Sequence, residues 1–198
     1  MFSDLIHILN STFMKRFLFL LSLAVVLSAS SCDDDDDIEI PNEEEVITTM
    51  TYSLQEQGGT GMAMFTFSDP DGDGGNAPTV SGATLAANTT YTGTLTFLNE
   101  TETPAENINL EIQEEDDEHQ VFFSSTVPGI SVAYLDADGD GNPLGLSTTL
   151  TTGDAGTGKF TITLRHEPNK DAAGVSDGDI TEAGGETDIE VEFDVDVQ

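Results

Sequence analysis

Apolar and polar residues alternate with a period of two through much of the chain after residue 45. The most regular case is residues 189–197, where the odd positions are apolar and the even positions are acids. The same alternation runs through residues 90–98 and residues 159–164, where threonine takes most of the polar positions. This period places the apolar side chains on one face of an extended chain, so each segment predicts a strand with one buried face.

Five further segments have the β-branched and aromatic composition of strands, with turn-forming residues between them. They are residues 46–54, 62–67, 108–112, 121–124 and 130–135. The predicted apolar face of residues 108–112 consists of Ile108, Leu110 and Ile112. No segment after residue 45 has a convincing helical period. About nine or ten short strands separated by turns predict an all-β fold, a single antiparallel β-sandwich of the immunoglobulin-like or Greek-key type.

Two parts of this domain, residues 62–104 and residues 130–168, resemble each other in their order of features. Each contains a strand, an acidic loop, a weak strand near Leu85 or Leu150, and then a strong strand. Duplicated halves of one sandwich explain this order, because two separate domains of that length would each have too little core. Chance similarity between stretches with the same strand and turn composition is the alternative.

The acidic loops of the two copies carry aspartates at alternate positions followed by glycine. The aspartates are Asp69, Asp71 and Asp73 in the first loop and Asp136, Asp138 and Asp140 in the second. Alternating carboxylates place oxygen ligands on one side of a turn, as at the start of a calcium loop. Neither loop has the glutamate at position twelve that an EF-hand requires, so the spacing predicts calcium loops between strands. Plain aspartate–glycine turns are the alternative.

Histidines beside acids supply a second candidate site. His119 follows Glu118 at the end of an acidic stretch, and His166 precedes Glu167 at the end of a predicted strand. Imidazole and carboxylate ligands suit zinc, copper or iron, so these four residues predict a shared transition-metal site. Each of them also has an ordinary explanation as a solvated surface group, and the sequence leaves that alternative open.

The sequence gives no support for catalysis or for nucleic-acid binding. No serine motif accompanies the histidines as a hydrolase triad requires, and the glycine-rich stretches carry aspartates that would repel phosphate. The chain has 38 acidic residues and 5 basic ones, with a formal net charge of −33. Because proteins contact nucleic-acid phosphates through lysine and arginine, we expect no nucleic-acid partner. We expect a binding protein and not an enzyme.

Residues 1–31 have the features of a secretory leader. A basic pair, Lys15–Arg16, precedes the apolar residues 17–27, and Met14 directly before that pair predicts the true start of translation. Small residues and then Cys32, the only cysteine of the chain, follow. This order resembles a bacterial lipoprotein signal, which implies cleavage before Cys32 and lipid attachment, with palmitate among the acyl chains. An ordinary secretory leader cut elsewhere is the alternative.

Residues 32–45 are mostly acidic after the cysteine. Like charges repel one another and keep a segment extended, so this stretch predicts a solvated tether ahead of the folded domain in residues 46–198. Acids just after a lipidated cysteine also resemble the surface-export signal of some Gram-negative lipoproteins. That resemblance implies an outer-membrane lipoprotein exposed at the cell surface. The periplasmic face of the inner membrane is the alternative, because aspartate next to the cysteine favours retention there in enteric-type sorting.

Several strings in the later part of the chain, among them GDGGNAP, TLAANTTYTG and LSTTLTTGDAGTG, resemble a group of small bacterial lipoproteins. Proteins of this group often carry the label "type 1 periplasmic binding fold superfamily protein", and some are encoded near TonB-dependent receptors. The resemblance covers most of residues 46–198 and implies an outer-membrane receptor as a partner. The fold in that label has two α/β lobes, whereas the pattern here predicts strands alone.

These observations predict a lipid-anchored binding protein at the outer membrane, calcium-stabilised and accessory to metal or nutrient capture. The competing prediction is a structural or adhesive surface module without a small-molecule ligand, in which calcium only stiffens the loops. The chemical identity of the ligand does not follow from the sequence.

Overall fold

The computed structural model describes residues 45–198 except residue 73. These residues belong to one compact unit that spans residues 43–198. The described part contains the following elements: β1 (Thr49–Glu56), β2 (Met62–Ser68), β3 (Thr79–Ser81), β4 (Ala83–Leu85), β5 (Thr90–Asn99), β6 (Glu106–Asn107), helix α1 (Asn109–Glu114), β7 (His119–Ser125), β8 (Ser131–Tyr134), β9 (Ser147–Thr151), β10 (Gly156–His166), two 3-10 turns (Val175–Asp177 and Ile180–Glu182) and β11 (Glu186–Val197). In this part of the chain no helix has the length and apolar character needed to cross a membrane.

The strands form two sheets, which confirms the predicted all-β sandwich. The larger sheet has the order β3-β2-β1-β5-β9-β8, with β6 paired to β5, and the smaller has the order β4-β11-β10-β7. Neighbouring strands run antiparallel except β4 and β11, which are parallel. The described residues hold eleven strands, more than the nine or ten predicted, because β3 and β6 are too short to stand out in the sequence.

The core lies between the two sheets and takes the apolar position of each alternating strand. Phe65 on β2 packs against Phe160 on β10 and Phe193 on β11, with ring centroids 5.2 and 5.4 Å apart. Tyr52 on β1 is fully buried beside Phe65 and shares a hydrogen bond of 2.7 Å with the hydroxyl of Thr148. Burial raises the pKa of Tyr52 to about 12, so the phenol keeps its proton.

Glycine is required on β5 where this hydrogen bond passes. A Cβ atom on Gly93 would lie 2.5 Å from the hydroxyl oxygen of Tyr52 and 2.6 Å from that of Thr148. Any larger residue would therefore push apart two buried, hydrogen-bonded side chains.

The segment around Ile108 is a helical turn, so its prediction as a strand is wrong. Ile108 and Ile112 are both buried and lie one turn apart, whereas Leu110 is exposed. The side chain of Asn109 replaces a strand partner for β5, because it accepts from the N–H of Phe97 and donates to the carbonyl of Leu95. Residues four apart lie on one face of a helix as well as on one face of a strand, so the two isoleucines alone do not distinguish a helical turn from a strand.

The two proposed repeat copies place their strands differently. β2 and β8, which open the copies, both lie in the larger sheet. The weak strands lie in different sheets, β4 in the smaller one and β9 in the larger one. The strong strands are divided the other way, with β5 in the larger sheet and β10 in the smaller one. Duplication of residues 62–104 as residues 130–168 stays a prediction.

Candidate metal centre

His119 and His166 lie side by side at one end of the smaller sheet. His119 begins β7, His166 ends β10, and the antiparallel register pairs them directly. Their imidazole rings stack with centroids 4.7 Å apart and planes at 22°. On β10 the alternation that buries Ile162 and Leu164 also turns His166 inward. The strand pairing therefore brings together two histidines that are far apart in the sequence.

Asp188 reaches the same place through an irregularity in β11. The register pairs Leu164 with Ile189 and Arg165 with Thr187, so it skips Asp188 and forms a β-bulge. Strict alternation along β11 would point Asp188 towards water, but at the bulge its side chain is fully buried. Bulges re-aim a side chain in this way, and here the re-aimed group is a carboxylate facing two imidazoles.

Glu45 joins the cluster from the chain ahead of β1. Its side chain is nearly buried, although the sequence places it at the end of the solvated tether. The strand that it precedes belongs to the larger sheet, whereas the histidines and Asp188 belong to the smaller one. The cluster therefore connects the entry of one sheet to three strands of the other.

The four side chains converge on one small volume. Nε2 of His119 lies 2.8 Å from Oε1 of Glu45 and 3.8 Å from Oδ2 of Asp188. Nδ1 of His166 lies 3.7 Å from Oε2 of Glu45 and 3.6 Å from Oδ1 of Asp188. In a tetrahedral zinc site with bonds of about 2.1 Å, ligand atoms stand about 3.4 Å apart. With one ligand atom taken from each residue, the four atoms lie within 4.8 Å of one another, so the side chains must draw closer together to hold an ion of that size.

A hydrogen bond outside the cluster fixes how His119 presents its ring. Nδ1 of His119 lies 3.0 Å from the backbone carbonyl of Glu115. A carbonyl can only accept, so Nδ1 carries the hydrogen and the lone pair of the neutral ring is on Nε2, which faces Glu45 and Asp188. Metal-binding histidines typically donate their second N–H to a carbonyl or a carboxylate in this manner.

The acids and the imidazole also change each other's ionisation. Burial alone would lower the pKa of His119, but the hydrogen bond to Glu45, the Glu115 carbonyl and the charges of Glu45 and Asp188 raise it above its usual value. Burial alone would raise the pKa of Glu45, but the hydrogen bond and the positive charge of His119 hold it below its usual value. Without a metal, the cluster therefore favours a proton on Nε2 of His119, in the position that a cation would take.

A second group of possible ligands lies on the other side of His166. Nε2 of His166 lies 3.8 Å from Oε2 of Glu118, and Glu167 completes a set of three whose ligand atoms are within 4.8 Å of one another. The N–H of Glu167 donates to the carbonyl of Glu118 at 2.6 Å, which holds the two residues together. Both carboxylates are accessible to solvent.

The structure thus brings the four predicted transition-metal residues into two adjoining groups. His119 and His166 enter the buried group, and His166 also borders the outer group with Glu118 and Glu167. The sequence analysis missed Glu45 and Asp188. Glu45 belongs to a run of acids, and Asp188 lies on β11 at one of its even positions, all of which are acidic, so neither residue differs from its neighbours in the sequence.

The aspartates of the second acidic loop contact donors of the protein itself. Asp136 accepts from the N–H groups of Gly145 and Ser147, each at 2.8 Å, and so closes the connection between β8 and β9. Asp138 forms a buried ion pair with Lys170, with Nζ 2.9 Å from Oδ2. The ammonium group occupies the place beside Asp138 where a calcium ion would be expected.

The first acidic loop is more open. Asp71 accepts from the backbone N–H and the side-chain amide of Asn76 at 2.9 and 2.8 Å. Asp69 is half-buried, Asp140 of the second loop is exposed, and Asp73 lies outside the described residues, as does Cys32. Calcium binding at either loop stays a prediction.

Comparison with models of protein families, with curated proteins and with solved structures finds no match for this chain. The geometry of the buried group itself indicates what it can bind. Two imidazole nitrogens and two carboxylates surround one small volume, with the remaining N–H of one imidazole fixed to a carbonyl.

Proposed function

We propose that this protein is a lipid-anchored, extracytoplasmic metal-binding protein that captures a divalent transition metal with Glu45, His119, His166 and Asp188. The observation that carries this proposal is the convergence of these four buried side chains at ligand spacing. Zinc is the ion whose tetrahedral geometry fits this set best.

The ligand types favour a transition metal over calcium at this cluster. Calcium takes six to eight oxygen ligands, whereas imidazole nitrogen suits zinc, copper, iron and nickel. The only thiol of the chain is that of Cys32, which would be acylated if the predicted lipoprotein signal is used. Metal binding by nitrogen and oxygen alone suits an oxidising compartment, where free thiols would be lost.

The ligand number favours binding over catalysis. A catalytic zinc site keeps a coordination position open for water or substrate, whereas four protein ligands close the shell. Here all four side chains are at most 5 % exposed. We therefore propose a protein that holds the ion and does not use it to activate a substrate.

A second candidate function is a structural or adhesive surface module in which the ion is a staple. The closed shell favours it, since structural zinc sites are closed, and Glu45 would tie the entry of the larger sheet to the smaller one. The size of the core favours capture instead. Domains that need a metal to fold are small, whereas this one buries a continuous core of 22 residues. Capture predicts a metal-free protein that melts cooperatively, and a staple predicts one that does not.

The attachment to a membrane rests on Cys32 and its leader. Two acyl chains on the modified cysteine would hold the protein stably, and the net charge of −33 rules out attraction to anionic lipid as the anchor. We place the protein at the outer membrane, exposed at the cell surface, where an outer-membrane receptor would take over the captured ion.

Calcium at the acidic loops completes the proposal as a stabilising ion. The loop around Asp71 is the better candidate, because Lys170 already neutralises Asp138. A calcium-specific chelator should lower the melting temperature, and Asp71→Ala should remove that sensitivity. A melting temperature that is the same with and without the chelator would end the calcium part of the proposal alone.

Metal analysis tests the main proposal. The full-length protein, purified in detergent, is dialysed separately against zinc, copper and iron, and its metal content is then measured. We expect one equivalent of at least one metal in the wild type and none in His119→Ala/His166→Ala. Asp188→Asn should lower the affinity at least tenfold, whereas Glu192→Gln, an outward position on the same strand, should not change it. Equal metal content in the wild type and the double-histidine variant would refute metal capture at this site.

A further inference from the structure

We infer that Glu118, Glu167 and Nε2 of His166 form a surface entry site through which a transition metal reaches the buried cluster. This inference rests on the proposed function, because it describes the route by which that cluster is loaded. It assigns to the two outer acids a kinetic role and not a share in the final coordination.

Among the described residues, the buried cluster meets two solvent-accessible acids beside His166. Asp188 and His119 have fully buried side chains, and Glu45 and His166 are 4 % and 5 % exposed. Glu118 lies next to His166 on its outer side with 43 % of its side chain exposed, and Glu167 is exposed as well. An ion that approaches the cluster along the His166 ring therefore meets these two acids first.

The ring of His166 presents one nitrogen to each group. Nδ1 faces Glu45 and Asp188 at 3.7 and 3.6 Å, and Nε2 faces Glu118 at 3.8 Å. The same imidazole can thus bind an incoming ion at Nε2 and the stored ion at Nδ1. In the transfer the bond from the metal to Nε2 breaks and the bond to Nδ1 forms. When the metal binds in the cluster, protons leave Nδ1 of His166 and Nε2 of His119 to solvent, and Nε2 of His166 takes one up once the metal has left it.

An entry site lowers the cost of taking a hydrated ion into a buried place. Full desolvation in one step is expensive, whereas two carboxylates and one imidazole can replace part of the water shell while the ion is still at the surface. Fixed negative charge at the mouth also raises the local cation concentration and speeds association by factors of 10 to about 1,000. A hydrogen bond from the backbone N–H of Glu167 to the backbone carbonyl of Glu118 holds the two residues side by side at the mouth.

Loading kinetics with Co²⁺ test this inference. Co²⁺ binds the same ligands as zinc and gains visible absorption when histidines coordinate it, so stopped-flow mixing gives the loading rate and competition with a chelator gives the release rate. Glu118→Gln/Glu167→Gln removes the two outer charges. Glu102→Gln/Asp154→Asn removes two exposed charges elsewhere and controls for the change in net charge. Both double variants replace exposed side chains, and circular dichroism checks that both fold.

We expect Glu118→Gln/Glu167→Gln to load and to release Co²⁺ about tenfold more slowly than the control, with an unchanged dissociation constant. Equal loading rates in the two variants would overturn the entry site while leaving capture intact. A larger dissociation constant in Glu118→Gln/Glu167→Gln would also overturn the entry site, because the two acids would then belong to the final site. No Co²⁺ or zinc binding by the wild type would refute the proposed function itself.

Discussion

Replacement of Lys170 by methionine should destabilise the protein strongly, because it leaves the carboxylate of Asp138 buried without its counter-charge. The side chains of Lys170 and Asp138 are 5 % and 1 % exposed, and their charged atoms are 2.9 Å apart. Methionine keeps most of the length of the lysine side chain, so the main change is the loss of the ammonium group. The ammonium group also donates to the backbone carbonyl of Asp116, so the substitution removes this hydrogen bond together with the ion pair.

The size of the effect follows from what remains around the carboxylate. Removal of one partner of a buried ion pair costs about 3–5 kcal/mol. Asp138 keeps the N–H groups of Asp140 and Asn142, at 3.0 and 2.8 Å, so the lower end of that range applies. A domain of this size loses about 2–4 °C of melting temperature per kcal/mol, which gives a fall of roughly 6–12 °C.

The assay is thermal unfolding of wild type and Lys170→Met as a function of pH. Burial alone would raise the pKa of Asp138, but Lys170 and the two N–H groups hold it below its usual value. Stability from such a group is present above the pKa of an unfolded aspartate, about 3.9, and is lost as the pH falls through the folded value. The gap between the two proteins should therefore be largest at pH 7 and should narrow in acid, and the part that remains is the lost hydrogen bond to the Asp116 carbonyl.

Lys159→Met is the matched control, because Lys159 pairs with Glu192 and Asp194 on the exposed face of β11 and its side chain is 44 % exposed. We expect a much smaller change from it, since solvent screens exposed ion pairs. An equal loss of stability in the two variants, or a loss in Lys170→Met that does not depend on pH, would refute the reasoning.

Four further outcomes can be tested, three from the structure and one from the lipoprotein signal. Zinc at 100 times its dissociation constant should stabilise the wild type by about 2.7 kcal/mol in denaturant unfolding, and Asp188→Asn should lose at least half of this gain at the same zinc concentration. Zinc should slow hydrogen exchange of the backbone just ahead of β1 in the wild type, whereas Glu45→Ala should still bind zinc, more weakly, without that protection. Tyr52→Phe should cost about 1 kcal/mol of unfolding free energy, because it leaves the hydroxyl of Thr148 without its buried partner. Metabolic labelling with palmitate should mark the wild type and not Cys32→Ser, and an unlabelled wild type would exclude the lipid anchor.

Most of the strands could be predicted because each of these has its own pattern in the sequence. Alternation along β5, β10 and β11 is a local property, and the apolar face that it defines is the face that the sandwich buries. The segment from Ile108 to Ile112 shows the limit of this evidence. Its isoleucines fit either period, and the hydrogen bonds of Asn109 with β5 are what favour a helical turn.

The candidate site could also be predicted only in part from the sequence. The chemistry of His119 and His166 could be recognised from the sequence, because after the leader they are the only imidazoles in an acidic chain. Their pairing required the register between β7 and β10. The position of Asp188 depends on a bulge in β11 that the local sequence does not predict. The position of Glu45 depends on how the chain ahead of β1, in the larger sheet, packs against the smaller sheet.

By itself, the sequence determined the all-strand fold, the acidic character of the surface and the residue types available for binding. The tertiary structure alone decided which of the many carboxylates face the histidines. Alternation reports on which side of its own strand a residue lies, whereas the candidate site brings together side chains from four separate segments. Their proximity depends on strand register, on one bulge and on the packing of two sheets, and none of these is encoded in any single stretch of the chain.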